Sequence, residues 1–267
     1  MRVVVLLAAY NEERFIGPCL EHLTAHGCEA YLCDNDSSDR TVEIAERHLG
    51  RGLIAIERLP RDGVFSWKRV LARKEELAAT IDADWFLHAD PDEIRVPPGS
   101  GRTLAQALRE IDALGYTAAD FDEFTFVPTR EAPDHDHPRY VETMRWYYPF
   151  LPTSPHQRKA WKRQRQPVDL VSSGGHVVQF PGVRTYPERF RMRHYLFLSV
   201  RHAIEKYAGR RYDPAEVATG WHGWRASVTA DAVRLPAAAE LRTYVSDEAL
   251  DASDPRTRHC CDPATWR

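Results

Sequence analysis

Residues 3–9, Val-Val-Val-Leu-Leu-Ala-Ala, form an unbroken apolar run that is β-branched at its start. A run with no polar alternation belongs in a strand covered on both faces, so the chain around it has to supply covering helices. Phe15, Ile16, Cys19, Leu20 and Leu23 recur at helical spacing, with Asn11 placed to cap that helix and Glu12 and Glu13 in its first turn. Pro18 predicts a kink or a late start, since proline costs about 3 kcal/mol in a helix interior.

The unit then repeats. Tyr31-Leu32-Cys33 reads as a second strand ending at Asp34, and Val42, Ile44, Ala45 and Leu49 read as a helix closed by Gly50. Residues 53–56 make a third strand. Trp67, Val70, Leu71, Lys74, Leu77, Ala78 and Ile81 follow helical spacing, and Trp85-Phe86-Leu87 is a fourth strand. This alternation predicts an α/β fold with a mixed, mostly parallel central sheet flanked by helices.

Leu104, Ala107, Leu108, Ile111 and Leu114 define a further helix stopped by Gly115, and residues 121–127 alternate like a strand. Residues 128–166, rich in Pro, His, Arg and aromatics, predict long loops or a short hairpin. Strands follow near 176–180 and 190–197, then a helix capped by Ser199. After Pro236 an Ala-rich helix and a polar tail are expected. The domain reading is one domain over 1–235, with a nucleotide-fold half at 1–98 and a second half at 99–235, followed by the helix and tail at 236–267.

The 267 residues carry a net charge of -3, which does not point to nucleic acid. No apolar run reaches the roughly 18 to 20 residues that span a bilayer, leaving room only for peripheral membrane contact. The first residues show no export cleavage pattern. Five cysteines without paired C-x-x-C spacing fit reduced thiols, and the compartment expected is cytoplasmic. Basic residues gather at Lys159, Lys162, Arg163 and Arg165, at Arg189, Arg191 and Arg193, and at Lys206, Arg210 and Arg211. Such clusters suit a phosphate or simply a solvated face.

Asp90-Pro91-Asp92-Glu93 directly follows the fourth strand. On an extended backbone residues two apart face one side, so Asp90 and Asp92 can converge while Pro91 stiffens the turn. Paired carboxylate oxygens suit Mg²⁺ or Mn²⁺ held against a diphosphate, and the carboxyl end of a central strand is where open α/β sheets bind ligands. Asp134-His135-Asp136-His137, bounded by Pro133 and Pro138, reads as a solvent loop rather than a metal site. Trp146, Tyr147 and Tyr148 read as aromatic core or as a platform for a sugar ring. Gly174-Gly175-His176 reads as a tight turn, at a strand entry or near an acceptor.

Three segments resemble the family 2 glycosyltransferases of GT-A fold: Ala9-Tyr10-Asn11-Glu12, the run from Asp34-Asn35-Asp36 to Thr41, and Ala83-Asp84-Trp85 leading to Asp90-Pro91-Asp92-Glu93. The resemblance covers about residues 1–98. It implies a metal-dependent, inverting transfer of a sugar from a UDP-, GDP- or dTDP-linked donor to a hydroxyl on a glycan, lipid-linked or small-molecule acceptor. By the same resemblance Ala9, Tyr10, Glu12, Asp34 and Asn35 would contact base and ribose, and Asp90 and Asp92 the metal and diphosphate. Asn35 stands where the family often has Asp, which changes what the loop can donate or accept.

A second, partial resemblance covers Arg193-His194-Tyr195, Lys206 and Gly220-Trp221-His222. It implies that His194 completes the metal site, while Lys206, Arg210 and Arg211 can neutralise the diphosphate. The family's late acidic pair, which supplies the base, has no recognisable counterpart. Glu123, in an alternating strand beyond the metal motif, is the first candidate, followed by Asp122, Asp169 and Glu188. A nucleotidyltransferase or a dinucleotide oxidoreductase is disfavoured because no Gly-rich loop follows the first strand. A non-catalytic nucleotide-sugar-binding module is the alternative from another class.

Overall fold

In the computed structural model, β1 (Val3–Ala9) is the buried strand that its apolar run demands. The structure describes all residues except 153, 154, 230–232, 261 and 263–267, and only the backbone of 224 and 227. Cys261 lies outside the described residues. Helix α1 (Ile16–Ala25) starts late, which puts Pro18 in its first turn, where a missing N–H costs little. Then come β2 (Glu29–Asp34), α2 (Thr41–Glu46), β3 (Leu53–Arg58), α3 (Trp67–Thr80), β4 (Trp85–Ala89) and β5 (Glu93–Val96). They are followed by α4 (Leu104–Ala113), β6 (Ala118–Phe126), α5 (Tyr140–Thr143), β7 (Trp146–Phe150) and β8 (Arg158–Lys162). Last are β9 (Phe190–Tyr195), α6 (Val200–Tyr207), α7 (Pro214–Ala218) and β10 (Arg242–Thr243).

The chain divides into two compact units that interleave along the sequence. The first holds Met1–Arg61, Trp67–Asp122 and Thr153–Met192; the second holds Asp62–Ser66, Glu123–Pro152 and Arg193–Arg267. In the first unit the strand order is β3-β2-β1-β4-β8-β6. β1 pairs in parallel with β2 and β4, and β2 with β3, whereas β8 runs antiparallel to both β4 and β6. Val3, Val5, Leu7 and Ala9 pack with the apolar stripes of α1 and α4 in one core. Their alternates Val4 and Leu6 are equally buried on the other face, and α3 contacts β1. On β4 the same alternation sends Trp85 and Leu87 to the first core and leaves Phe86 stacked on Trp161 of β8, ring centroids 6.0 Å apart.

In the second unit, residues 123–126 of β6 pair antiparallel with β7, and β7 with β10. Ser199 caps α6 by accepting from the His202 N–H, as its sequence position predicts. Tyr147 and Tyr148 of β7 are core residues.

Several expected elements differ. β8 lies between β4 and β6, inside the stretch expected to be loops. Residues 176–180 form no strand, only an isolated bridge between Asp169 and Gln179. The Ala-rich helix after Pro236 is a single 3-10 turn, Ala238–Glu240, because three alanines cannot nucleate a helix without apolar residues to dock it. Gly50 has positive φ, but α2 has already ended at Glu46. Among the described residues, no helix is long and apolar enough to cross a membrane.

Candidate functional site

The parallel register places Ala9 opposite Asp34 and Leu7 opposite Ala89, so the chain leaves β1, β2 and β4 at the same edge of the first unit's sheet. Tyr10, Asn35 and Asp90 are the first residues past those ends. This is the edge at which open α/β sheets bind ligands.

Two of the three exits are sewn together. Asn11 does not cap α1; it adopts φ 56, its N–H donates to Ser37 Oγ at 3.0 Å, and its Oδ1 accepts from the Ser38 N–H at 2.8 Å. The left-handed backbone that asparagine tolerates turns the first loop onto the second. Glu12 N–H donates to Thr41 Oγ1 at 2.7 Å, and Asp39 accepts from the N–H groups of both Glu13 and Thr41. Asn35 N–H donates to Ala9 O at 2.7 Å, and its Nδ2 donates to Leu59 O at 2.7 Å. That second bond fixes the amide, leaving Oδ1 as the group it presents.

Asp34 Oδ1 and Asn35 Oδ1 are buried acceptors with no hydrogen-bond partner, in residues only 5% and 4% exposed. Asp34 Oδ2, by contrast, accepts from the Ser37 N–H at 3.1 Å. An unpaired buried acceptor costs about 1–3 kcal/mol, so two on one loop invite donors from a ligand. Beside them the Arg61 guanidinium lies 3.6 Å over the Tyr10 ring, and the Arg61 N–H donates to Asp36. That bond, with the Arg58 side chain next, holds the Asp36 carboxyl below the usual carboxylate range.

The third exit is a turn through Pro91 and Asp92. Glu93 N–H donates to Asp90 O at 3.2 Å, and Asp90 N–H donates back to Glu93 Oε2 at 2.9 Å. Asp92 is 6% exposed, while the Asp90 side chain is 36% exposed. One-sided desolvation raises the Asp90 carboxyl; Lys74 opposes the shift, and the charges of Glu93 and Asp92 add to it.

Buried cations support this turn from below. Lys74 is fully buried, its Nζ 2.9 Å from His88 Nδ1, 3.0 Å from Ala89 O and 3.8 Å from Asp90 Oδ1. Burial lowers its amine to about 8. Burial also keeps the His88 imidazole neutral, so its Nδ1 accepts from Lys74. Lys159 Nζ lies 2.9 Å from Glu93 Oε1, and Arg95 Nη2 lies 2.6 Å from Glu93 Oε2.

In the second unit, Glu123 and His194 pair directly: His194 Nδ1 lies 2.7 Å from Glu123 Oε1, with side chains 13% and 5% exposed. The candidate base and the candidate metal imidazole are therefore one dyad. Among the described residues, no group of three or more His, Cys, Asp or Glu is arranged to hold a metal. Lys206 lies in the last turn of α6, the Arg210 guanidinium lies 5.5 Å from the Phe65 ring, and Arg211 O accepts from the Phe65 N–H. His222 is tied to Glu216.

Lys159, Lys162 and Arg163, read as a phosphate-binding cluster or a solvated face, are paired with Glu93, Asp112 and Asp82. Asp122 is paired with Arg189. Sequence reasoning missed Lys74, Glu93 and Lys159 as supports of the acidic turn. The available signal was a charge on a buried face: Lys74 falls within the apolar stripe of α3, and Lys159 alternates with Arg158 and Ala160 in β8.

The carboxyl edge of the first unit's sheet thus carries an acidic turn and two buried acceptors without a hydrogen-bond partner. Residues 4–94, about a third of the chain, match the family model described as Glycosyl transferase family 2. No curated protein matches the chain. Among solved structures, S. aureus TarS is similar at 14% identity and TM-score 0.43, over 73% of this chain and 37% of that one. TarS 1-349 in complex with UDP matches at 13% identity and TM-score 0.43, over 74% of this chain and 61% of that one. The mannosyltransferase PcManGT from Pyrobaculum calidifontis, in complex with GDP-Man and Mn2+, matches at 16% identity and TM-score 0.41, over 80% and 66%. The chain thus spans between 37% and 61% of the length of these TarS structures, and likeness this distant assigns neither substrate nor metal.

Proposed function

We propose that the protein transfers a glycosyl group from a nucleotide-diphosphate sugar to an acceptor hydroxyl, with inversion at the anomeric carbon. The observation that carries this reading is the pair of buried unfilled acceptors, Asp34 Oδ1 and Asn35 Oδ1, at the same sheet edge as the Asp90–Glu93 turn. N–H and O–H groups of a base and ribose supply the missing donors, with Ala9, Tyr10 and Glu12 lining the same loop.

Asp90 and Asp92 are the residues that would hold a divalent cation. The fit is good for Mg²⁺ or Mn²⁺, which take hard oxygen ligands and are commonly held by one or two carboxylates plus substrate phosphates. When bound, such an ion offsets charge on the departing diphosphate. Lys206, Arg210 and Arg211, all of the second unit, are proposed as cationic groups for a phosphate.

Glu123, too buried to meet solvent freely, acts through His194. With Nδ1 held by Glu123, His194 can bind a metal or a proton only at Nε2. The carboxylate on Nδ1 suits the proton, because it stabilises the imidazolium that forms when Nε2 is protonated. The acceptor hydroxyl proton passes to Nε2, and the Glu123 carboxylate stabilises the imidazolium.

Calorimetry of UDP, GDP and dTDP with and without Mn²⁺, followed by turnover of the matching nucleotide sugars, tests the reading. At least one nucleotide should bind more tightly with Mn²⁺, and Asp92→Ala should abolish that gain while the protein stays folded. An unchanged gain in Asp92→Ala removes the metal assignment. Metal-dependent binding without turnover, acceptors having been varied, favours the non-catalytic module.

A further inference from the structure

The Asp90–Glu93 turn is closed by one side chain that is not itself offered to a ligand. Glu93, 4% exposed, accepts the Asp90 N–H through Oε2, while its own N–H donates to Asp90 O. The same Oε2 accepts from Arg95 Nη2 at 2.6 Å, and Oε1 accepts from Lys159 Nζ at 2.9 Å. Arg95 lies two residues along Glu93's own strand, β5, and Lys159 comes from β8, so a local and a distant cation together grip the carboxylate that grips the backbone of Asp90. Arg95 Nη2 also donates to His88 O at 2.8 Å, on the strand leading into the turn.

A carboxylate with two buried cations satisfies its charge without Asp90. Its additional bond to the Asp90 amide therefore has a consequence beyond neutralisation: it sets where the turn begins, and with that the direction of the two acids it carries. We propose that Glu93 is a positioning residue for the cation and diphosphate, holding Asp90 and Asp92 in their binding geometry before any ligand arrives. The inference rests on the metal-diphosphate reading of Asp90 and Asp92. Groups that orient metal ligands without touching the metal typically change metal affinity about 10- to 100-fold when altered.

The test compares Glu93→Gln and Glu93→Asp with the unaltered protein. Glu93→Asp keeps the charge for Lys159 and Arg95 but is one methylene short of the Asp90 amide, so it separates bracing from neutralisation. Two quantities are read: the Mn²⁺-dependent gain in UDP and GDP affinity by calorimetry, and the hydrogen-exchange protection of the Asp90 amide by NMR without metal. Glu93→Asp should reduce the gain about tenfold or more and lose the protection, with metal-free nucleotide affinity unchanged, whereas Glu93→Gln, whose amide oxygen still reaches the Asp90 N–H, should keep the protection. If Glu93→Gln does not fold, Glu93→Asp carries both readouts. An Asp90 amide and a Mn²⁺ gain both indifferent to Glu93→Asp overturn the proposal. An unaltered protein with a protected Asp90 amide but no Mn²⁺ gain overturns the functional reading instead.

Discussion

Gly174 and Gly175 offer a matched pair of substitutions that isolates one contact beneath the acidic turn. Both have positive φ, +63 and +84, where an L-residue pays roughly 1–2 kcal/mol. A Cβ on Gly174 meets nothing within 4 Å, so Gly174→Ala should cost only that backbone term. A Cβ on Gly175 would stand 2.9 Å from His88 Nε2 and 3.0 Å from Leu71 Cδ2. Neither neighbour yields cheaply. Leu71 is fully buried, and the His88 ring, 2% exposed, is held through Nδ1 by Lys74. Overpacking a filled core adds about 1–3 kcal/mol, so Gly175→Ala should lose about 2–5 kcal/mol in all. Urea denaturation followed by fluorescence measures both, with an unchanged m-value showing that the end states are comparable. Equal losses at the two positions would refute the claim that His88 is rigidly seated against Gly175.

Two further outcomes concern the second unit. His194→Ala should lower kcat by about 10²–10⁴-fold while leaving Mn²⁺-dependent nucleotide affinity intact; loss of that affinity would return His194 to the metal. Burial lowers the imidazoles of His135 and His222 from their ordinary 6.5. The unfolded chain then takes up protons that the folded one refuses, so stability rises with pH and falls as pH drops through 6.5 toward the lowered values. Each residue contributes at most about 1.4 kcal/mol per pH unit in that window, and equal urea stability at about pH 7.5 and pH 5.5 would contradict it.

The strands and helices up to Ala89 are legible in the sequence because their periodicities are local: a continuous apolar run can only be a covered strand, and Trp67 to Thr80 repeats at helical spacing. β8 is not legible in this way. Its alternation is written as Arg158, Lys159, Ala160, Trp161, Lys162, so a charged residue occupies a buried position, and propensity and polarity both point to the surface. What reverses that reading is Glu93, 66 residues away, which turns an expensive buried ammonium into an ion pair. Lys74 is hidden for the same reason, its partners being His88, Ala89 and Asp90. Asn11 shows the complementary limit: its residue type announces a local hydrogen bond, yet whether that bond caps α1 or joins the Ser37-Ser38 loop depends on a left-handed backbone that only the assembled sheet edge imposes.

The division has a physical basis that bears on the site itself. A binding edge needs acids held close together before their ligand arrives, and like charges held together cost energy that the apolar pattern cannot supply. Here Lys74, Arg95 and Lys159 lie buried under Asp90, Asp92 and Glu93, three cations beneath three acids in one unit. Because their burial is stable only when both signs are present, such groups read as anomalies one by one and as a support only once the fold has brought them together. The same balance predicts where substitutions bite: removing one partner leaves the other buried and uncompensated, whereas shortening Glu93 to Asp leaves the charges matched and disturbs only the direction of the turn.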